Sequence, residues 1–172
     1  MSRKLDKEFF HRDALAVAPE LVGKLLVHRL PDGTELRERI AETEAYRGEE
    51  DKACHASKGR TPRTELLYGE SGIIYVYLCY GMHWLMNVIT GETGTPQGVL
   101  LRAGELHSGP AKLTKYLQVD GRYNGKPICG NPEIWIEDDG YSPKIRTAPR
   151  VGIDYAGEYW KSIEWRFIAE KE

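Results

Sequence analysis

The sequence predicts a single mixed α+β domain built around an antiparallel sheet. Two hairpin patterns, each with two alternating segments around a short turn, supply most of the strands. Apolar residues recur at helical spacing only in short segments, so strands should dominate the fold. The length of 172 residues suits one domain with room for a substantial core.

The composition is that of a folded protein with nearly balanced charge. The chain is 41% hydrophobic, and its formal net charge is −2. This balance does not indicate nucleic-acid binding, although a local basic patch is compatible with it. Ten tyrosines and four tryptophans suggest a ring-lined cleft, with ordinary half-buried sheet aromatics as the alternative. Two loops carry basic clusters that form either such a patch or a solvated face: Lys58, Arg60 and Arg63, and Lys144, Arg146 and Arg150.

The cysteines and histidines argue against a metal centre. The three cysteines match no zinc spacing, and the five histidines contain no His-x-x-x-His pair. We therefore expect neither a metal nor a cofactor. No apolar run opens the chain as a signal peptide does or reaches the length of a membrane span. The expectation is a cytoplasmic protein with no membrane partner.

The first hairpin follows a short helix. Apolar spacing predicts a helix over residues 13–21, which Pro19 should keep short or irregular. Residues 24–30 alternate as a strand, and residues 31–33 form a Pro-Asp-Gly turn. The return strand covers residues 34–46 and ends far from that turn.

The end of this return strand is the most informative feature of the chain. Strict alternation places six residues on one face, and the two aliphatic members mark it as the core side. A carboxylate at the open end of that face would be partly buried and would need a partner or a function. A solvated strand end is the alternative. The six residues are Leu36, Glu38, Ile40, Glu42, Glu44 and Tyr46.

A long polar loop and a second hairpin follow. Residues 47–69 lack regular periodicity, and long loops in compact domains are often functional. Residues 73–80 and 83–90 are strongly strand-like, with Tyr80 and Met82 at the tip between them. If these two side chains are exposed at the tip, they suggest a wedge or a contact surface. The alternative is that they fold back onto the body of the protein.

The remaining elements are shorter. Residues 99–103 form a strand in which alternation places Leu100 and Arg102 on one face. Ser108 suits an N-cap, so residues 111–117 should be helical. Two further strands are predicted, over residues 133–137 and 163–168.

Several widespread catalytic motifs do not occur in the sequence. Gly91, Gly94 and Gly98 are not followed by the Lys-Ser/Thr pair of a phosphate loop. No Gly-x-Ser-x-Gly elbow presents a serine nucleophile. What remains is a carboxylate on one strand, an arginine on another, and several tyrosines.

Short motifs occur in series along nearly the whole chain. They are Glu42-Thr43-Glu44-Ala45-Tyr46, His55, Thr61-Pro62-Arg63, Tyr75-Val76-Tyr77, Tyr80-Gly81-Met82, Asn87, Val99-Leu100-Leu101-Arg102-Ala103, Ser108-Gly109-Pro110 with Lys112-Leu113, Pro149-Arg150-Val151-Gly152 and Ala156-Gly157-Glu158. Together they resemble the alkyladenine (3-methyladenine) DNA glycosylases. No single motif is decisive, but coincidence does not explain the ordered series.

The resemblance implies a base-excision repair enzyme that flips an alkylated purine out of duplex DNA and hydrolyses its N-glycosidic bond. It also implies a curved antiparallel sheet with flanking helices and a protruding hairpin, as one glycosylase domain over residues 1–172. The implied partner is double-stranded DNA containing a damaged purine, the implied state is a monomer, and a bacterial member would associate with the nucleoid.

Site residues carry over position by position. Glu44 matches the general base of the family, while Arg102 and the Val151 carbonyl match groups that hold the attacking water. Because no lysine takes the place of Glu44, we expect no Schiff base and no strand cutting. The positions that sandwich and read the flipped base, or hinder normal guanine, are Tyr46, His55, Tyr77 and Asn87. The positions expected to contact DNA are Tyr80, which would insert into the vacated stack, Met82, Lys112 and Arg63.

Two features depart from the family pattern. Members carry a longer, partly helical segment where only residues 104–107 join the Arg102 strand to the next helix, and Thr64 stands where asparagine is common. The shortening puts affinity and substrate range in doubt. Two rival functions remain: a non-catalytic binder of distorted duplex DNA, and a small-molecule-binding β domain.

Overall fold

Nine strands and four α-helices occur in residues 2–171, the part of the chain that the computed structural model describes. The helices are α1 (Lys7–Phe10), α2 (Ala14–Leu21), α3 (Pro110–Leu117) and α4 (Glu158–Ser162). The strands are β1 (Arg3–Lys4), β2 (Leu25–Arg29), β3 (Glu35–Arg47), β4 (Ile74–Cys79), β5 (His83–Ile89), β6 (Gln97–Gly104), β7 (Ile134–Asp138), β8 (Ile145–Ala148) and β9 (Arg166–Ala169). None of the helices in this range is long and apolar enough to cross a membrane.

The strands form one antiparallel sheet, which confirms the predicted α+β class. Its main path runs β1-β7-β2-β3-β6-β5-β4, and β9 pairs with β3 and β8. The 13-residue β3 is central because it pairs with β2 near its start, with β9 near its end, and with β6 along the other edge. The two predicted hairpins are β2–β3 and β4–β5.

The hydrophobic core lies between one face of the sheet and helices α2 and α3. Helix α2 begins where Asp13 accepts a hydrogen bond from the Leu15 amide, as an N-cap carboxylate does. The fully buried Leu21 of α2 and Leu117 of α3 pack in the same cluster as Val99 of β6. This packing leaves the opposite face of strands β3 to β6 free to line a cavity.

A register irregularity in β3 overturns the predicted alternation. Ile40 pairs with Gly104, but Glu42 pairs with Ala103, so the two strands do not advance in step. Such a bulge shifts the residues that follow to the other face. Ile40 and Ala45 therefore both lie in the core, whereas Glu44 lies on the opposite face. The prediction that the six alternate residues from Leu36 to Tyr46 share one face was wrong, because the periodicity of a single strand does not reveal a bulge.

Other element boundaries moved by small amounts. Helix α3 begins after Gly109, whose φ is 113°, so the expectation that Ser108 is the N-cap was wrong. The predicted strand over residues 163–168 begins only at Arg166. Strands β1 and β8 and helices α1 and α4 were missed, since each has two to five residues and shows no clear periodicity.

The β4–β5 hairpin projects its tip into solvent, as the sequence suggested. Tyr80 is 90% exposed and Met82 is 67% exposed. Tyr80 and Gly81 have φ values of 53° and 67°, and the Met82 amide donates to the Cys79 carbonyl at 3.1 Å. Two positive φ values are typical of a type I′ turn, which glycine adopts readily and tyrosine does not.

Candidate active site

A cavity of about 760 Å³ lies on the sheet face opposite helix α2, and Pro110 and Ala111 at the start of α3 contribute to its lining. Its wall combines strands β3 to β6, the loop over residues 53–67, and the segment over residues 151–155. Eight of the site residues predicted from the sequence line this cavity: Tyr46, His55, Arg63, Tyr77, Tyr80, Asn87, Arg102 and Val151. The structure therefore brings together side chains that are up to 105 positions apart in the sequence, as Tyr46 and Val151 are.

Glu44 lies directly behind the cavity wall, with no exposed surface. Its Oε1 accepts a hydrogen bond from the Tyr46 hydroxyl at 2.6 Å, and its Oε2 accepts one from the Val151 backbone amide at 2.8 Å. The Arg102 guanidinium is the third group on this carboxylate. A buried carboxylate with these partners is compensated electrostatically, which excludes the solvated strand end that was the alternative.

Arg102 reaches Glu44 from β6 and also lines the cavity. Its Nε lies 2.7 Å from Glu44 Oε2, and its side chain is 16% exposed. Arg102 Nε makes no aligned hydrogen bond in the described chain, so this contact is a close ion pair rather than a linear hydrogen bond. As predicted, Leu100 and Arg102 share the cavity face, while Leu101 lies in the core.

Val151 contributes its backbone to the site. Its amide contacts Glu44, its side chain is 44% exposed, and the residue lines the cavity. The sequence resemblance assigned a role to the Val151 carbonyl, whereas the contact with Glu44 is made by the amide. The role of the carbonyl stays a prediction.

Three aromatic side chains form one wall of the cavity. The His55 ring lies 4.6 Å from the Tyr77 ring, and its Nδ1 lies 2.9 Å from the Tyr75 hydroxyl. Burial lowers the pKa of His55 to about 4, with smaller contributions from the positive charges of Arg63 and Lys58. Burial also raises the pKa of the Tyr77 hydroxyl. The wall is therefore uncharged at neutral pH.

Tyr46 lines the cavity next to the carboxylate. Burial raises the pKa of its hydroxyl well above 10, and the neighbouring negative charge of Glu44 adds to this effect. The Arg150 guanidinium lies 4.9 Å from the centre of the Tyr46 ring. The ring is thus fixed by a hydrogen bond at its tip and by a cation–π contact on its face.

Asn87 is held against the neighbouring strand. Its Nδ2 donates to the Tyr75 carbonyl at 3.1 Å, and it lies opposite both Tyr75 on β4 and Leu100 on β6. Only 6% of Asn87 is exposed, and this part lines the cavity. The side chain is consequently fixed in position rather than free to adapt.

The residues expected to contact DNA differ in position. Tyr80 lies at the cavity rim, and Arg63 lines the cavity with its guanidinium 5.7 Å from the Tyr77 ring. Met82 and Lys112 are exposed but do not line the cavity. Two of the four residues thus belong to the site itself, and two lie on the surface outside it.

Sequence reasoning missed three groups at this site. Tyr75 lies two residues from Tyr77, so the alternation of β4 could have placed it on the same face. Tyr155 lines the cavity and is 72% exposed, but no sequence pattern indicated it. Arg150 was expected in a basic patch or solvated face, which was wrong because it is fully buried in an ion pair with Asp51.

The titratable side chains do not form a metal cluster. Within residues 2–171, no group of three or more His, Cys, Asp or Glu side chains is arranged to hold a metal ion. The cysteines at positions 54, 79 and 129 are free thiols. Burial raises the pKa of Cys54 to about 12, which makes this thiol a poor nucleophile although it lines the cavity.

Known proteins resemble the chain over nearly its whole length. The family model described as Methylpurine-DNA glycosylase (MPG) matches residues 8–109 and 104–172. A protein of Desulfitobacterium hafniense strain Y51 is 44% identical over 196 positions, which cover 98% of this chain and 96% of that protein. A protein of Psychrobacter cryohalolentis is 43% identical, covering 96% and 90%. One of Anaeromyxobacter sp. strain Fw109-5 is 44% identical over 176 positions, covering 97% and 89%. All three are named "Putative 3-methyladenine DNA glycosylase".

The family match divides at the loop between β6 and α3. Its two parts meet at residues 104–109, which include the segment that the sequence marked as short. The alignment of 196 positions exceeds the 172 residues of this chain, so the Desulfitobacterium protein carries residues that this chain lacks. The Anaeromyxobacter alignment of 176 positions leaves room for far fewer extra residues. The chain therefore aligns with relatives that differ in how many extra residues they carry within the aligned region.

Proposed function

The chain belongs to the methylpurine-DNA glycosylase family, and we propose that it is a monofunctional DNA glycosylase for alkylated purines. It acts as one domain over residues 1–172 and as a monomer on duplex DNA containing a damaged purine. The substrates are 3-methyladenine and 7-methylguanine, with hypoxanthine and ethenoadenine as neutral candidates. The reaction is hydrolysis of the N-glycosidic bond by a water that Glu44 activates.

One observation carries the proposal: a buried carboxylate sits against an aromatic cavity. Glu44 is held by Arg102, by the Tyr46 hydroxyl and by the Val151 amide. Cleavage of a purine from its sugar passes through an oxocarbenium-like state, which negative charge stabilises. The Arg102 guanidinium lies beside this carboxylate, whose negative charge both charge stabilisation and base catalysis require.

The hydrogen bonds leave Glu44 able to accept a further donor. A carboxylate oxygen can accept two hydrogen bonds, and Oε1 accepts only the one from Tyr46 among the contacts within the described chain. A water bound there would lie next to Arg102 and Val151, which border the cavity. In this arrangement Glu44 removes a proton from the water as its oxygen attacks the anomeric carbon.

The uncharged aromatic wall supports selection of a cationic base. Alkylation at N3 or N7 makes the purine cationic, and each cation–π contact with a tyrosine face contributes about 0.5–2 kcal/mol. Tyr46, Tyr77 and the neutral His55 supply ring faces without adding a repelling positive charge. In this proposal, the fixed Asn87 side chain hinders the exocyclic amino group of normal guanine.

Exposure of the hairpin tip supports base flipping. Flipping costs a few kcal/mol and is cheaper at a damaged or mispaired base. Tyr80 lies at the cavity rim and would fill the gap in the stack that the flipped nucleotide leaves. The exposed Lys112 and the loop residue Arg63 would contact phosphates, which predicts weaker binding at higher salt.

The test is base release from defined duplexes. Wild-type protein is incubated with duplex DNA containing a single 7-methylguanine or hypoxanthine, and free base is measured by chromatography against an undamaged duplex. Release of the damaged base, with strand breakage only after alkali, supports a monofunctional glycosylase. Tight binding to mismatched duplex without release would instead favour the rival function, a non-catalytic binder of distorted DNA.

A further inference from the structure

Arg150 and Asp51 form an ion pair whose two side chains have no exposed surface. Arg150 Nη1 donates to Asp51 Oδ2 at 2.7 Å, and Nη2 donates to Oδ1 at 3.0 Å. Arg150 Nε finds no hydrogen-bond partner in the described chain, so the pair is retained although one buried donor is unsatisfied. Burying two charges and leaving one N–H donor without an acceptor costs folding free energy, so this pair is better evidence of a specific role than a surface salt bridge is.

Both members also bind backbone groups next to Glu44 and Tyr46. Arg150 Nη1 also donates to the carbonyl of Ala45, the residue between them, at 3.0 Å. Asp51 accepts hydrogen bonds from the amides of Arg47 and Ala53, each at 3.0 Å. The pair therefore joins the end of β3 to the start of the loop that carries His55.

The same pair controls where the Val151 amide lies. Val151 follows Arg150 directly, and its amide donates to Glu44 at 2.8 Å. The Arg150 guanidinium packs 4.9 Å from the Tyr46 ring, whose hydroxyl is another donor to Glu44. The Arg150 guanidinium thus positions two of the three groups that contact the Glu44 carboxylate, the Val151 amide and the Tyr46 hydroxyl. Within the described residues, it makes no hydrogen bond or ion pair with the carboxylate itself.

We propose that Arg150 and Asp51 are positioning residues for Glu44, keeping the Val151 amide and the Tyr46 hydroxyl on its carboxylate. This inference rests on the proposed function. Without the pair, the Val151 amide and the Tyr46 hydroxyl no longer hold the Glu44 carboxylate in one orientation, so the chemical step slows while duplex binding changes little. Arg102, the third group on the carboxylate, is unchanged in the variants.

The experiment measures kcat and KM for base release from a 7-methylguanine duplex. Asp51→Asn should lower kcat by on the order of 100-fold, because small displacements of catalytic groups cost this much, and should change KM less. The matched control is Asp139→Asn, which breaks the bidentate Arg39–Asp139 pair away from the cavity. It should keep the wild-type kcat and KM.

Circular dichroism establishes that each variant is folded. A folded Asp51→Asn with the wild-type kcat would overturn the inference. If this variant does not fold, Arg150→Lys decides by the same readout, since lysine keeps the charge but not the bidentate contact. Failure of both to fold would assign the pair to folding and also overturn the inference. If the wild type itself releases no base, the proposed function fails. If the wild type is active and Glu44→Gln is inactive, the proposed function holds, and the Asp51 and Arg150 variants then test the positioning role alone.

Discussion

Strand β3 carries two buried glutamates whose surroundings differ. Glu38 is 3% exposed and Glu44 is fully buried. The Glu38 carboxylate accepts a hydrogen bond from the Leu106 amide and pairs with His107, both in the loop between β6 and α3. The Glu44 carboxylate pairs with Arg102 at the cavity wall. Each glutamate is paired, but only Glu44 adjoins a space where a substrate can bind.

The comparison teaches that burial and pairing do not by themselves identify a catalytic carboxylate. Glu38 anchors a loop, since its side chain lies under Gly104 and His107 stacks on Tyr116 at 4.0 Å. Buried ion pairs of this kind hold structure and also shift proton affinities. What separates the two glutamates is the cavity, and the following predictions test that difference.

The largest expected effect is on Glu44. Glu44→Gln should reduce base release by about 10²–10⁴-fold, because an amide cannot take a proton from water. Duplex binding should be largely retained, because the DNA-contacting residues are unchanged. Release is measured in single-turnover assays and binding by fluorescence anisotropy. A folded variant as active as the parent would remove Glu44 from the proposed mechanism.

Glu38→Gln should affect stability instead of turnover. In the wild type, one carboxylate oxygen contacts the Leu106 amide and the other contacts His107. Glutamine has only one acceptor oxygen, so it cannot replace both contacts. The unfolding free energy should fall by about 1–3 kcal/mol, the cost of a buried unsatisfied polar group. Urea unfolding provides the measurement. If folded Glu38→Gln lost as much base release as Glu44→Gln does, the distinction between the two glutamates would be wrong.

His55 extends the comparison to the pH dependence of the cavity wall. In the folded protein its pKa of about 4 lies below the ordinary histidine pKa of 6.5, so between these values the unfolded chain binds more protons. The stability that His55 contributes is complete above about pH 6.5 and is lost as the pH falls towards about 4. This loss amounts to about 2 kcal/mol between pH 7 and pH 5.

Replacing His55 should therefore make the unfolding free energy depend less on pH below about pH 6.5. In His55→Gln, the difference in unfolding free energy between pH 7 and pH 5 should be about 2 kcal/mol smaller than in the wild type. Urea unfolding at the two pH values measures it. His11→Gln, at an exposed position, is the control and should behave as the wild type. An unchanged profile in His55→Gln would mean that burial does not hold this ring neutral.

The smallest effect is expected at the cavity rim. Tyr80→Gly removes the exposed ring and suits the φ of 53°, so stability should change by less than about 1 kcal/mol. Affinity for lesion-containing duplex should fall about tenfold, since one stacked base contributes about 1–3 kcal/mol. Tyr141→Ala removes a 46% exposed tyrosine that does not line the cavity, and affinity should be unchanged. If Tyr80→Gly and Tyr141→Ala lost the same affinity for the duplex, Tyr80 would have no specific role in binding.

Much of the architecture was predictable because it depends on local patterns. The strand alternation located both hairpins, and the apolar spacing located α2. The exposed tip at Tyr80 followed from a turn between two strong strands. The short elements β1, β8, α1 and α4 were not predictable, since too few residues carry their pattern.

The sequence by itself determined the family, the antiparallel sheet and eight residues of the cavity wall, because motifs in series and period-two alternation can be recognised in the chain without its fold. Only the tertiary structure decided which face of β3 presents Glu44, because the bulge that moves it exists only in the register between β3 and β6. The burial of Arg150 against Asp51 was decided in the same way. These residues are 99 positions apart, and no local pattern links them until the chain is folded.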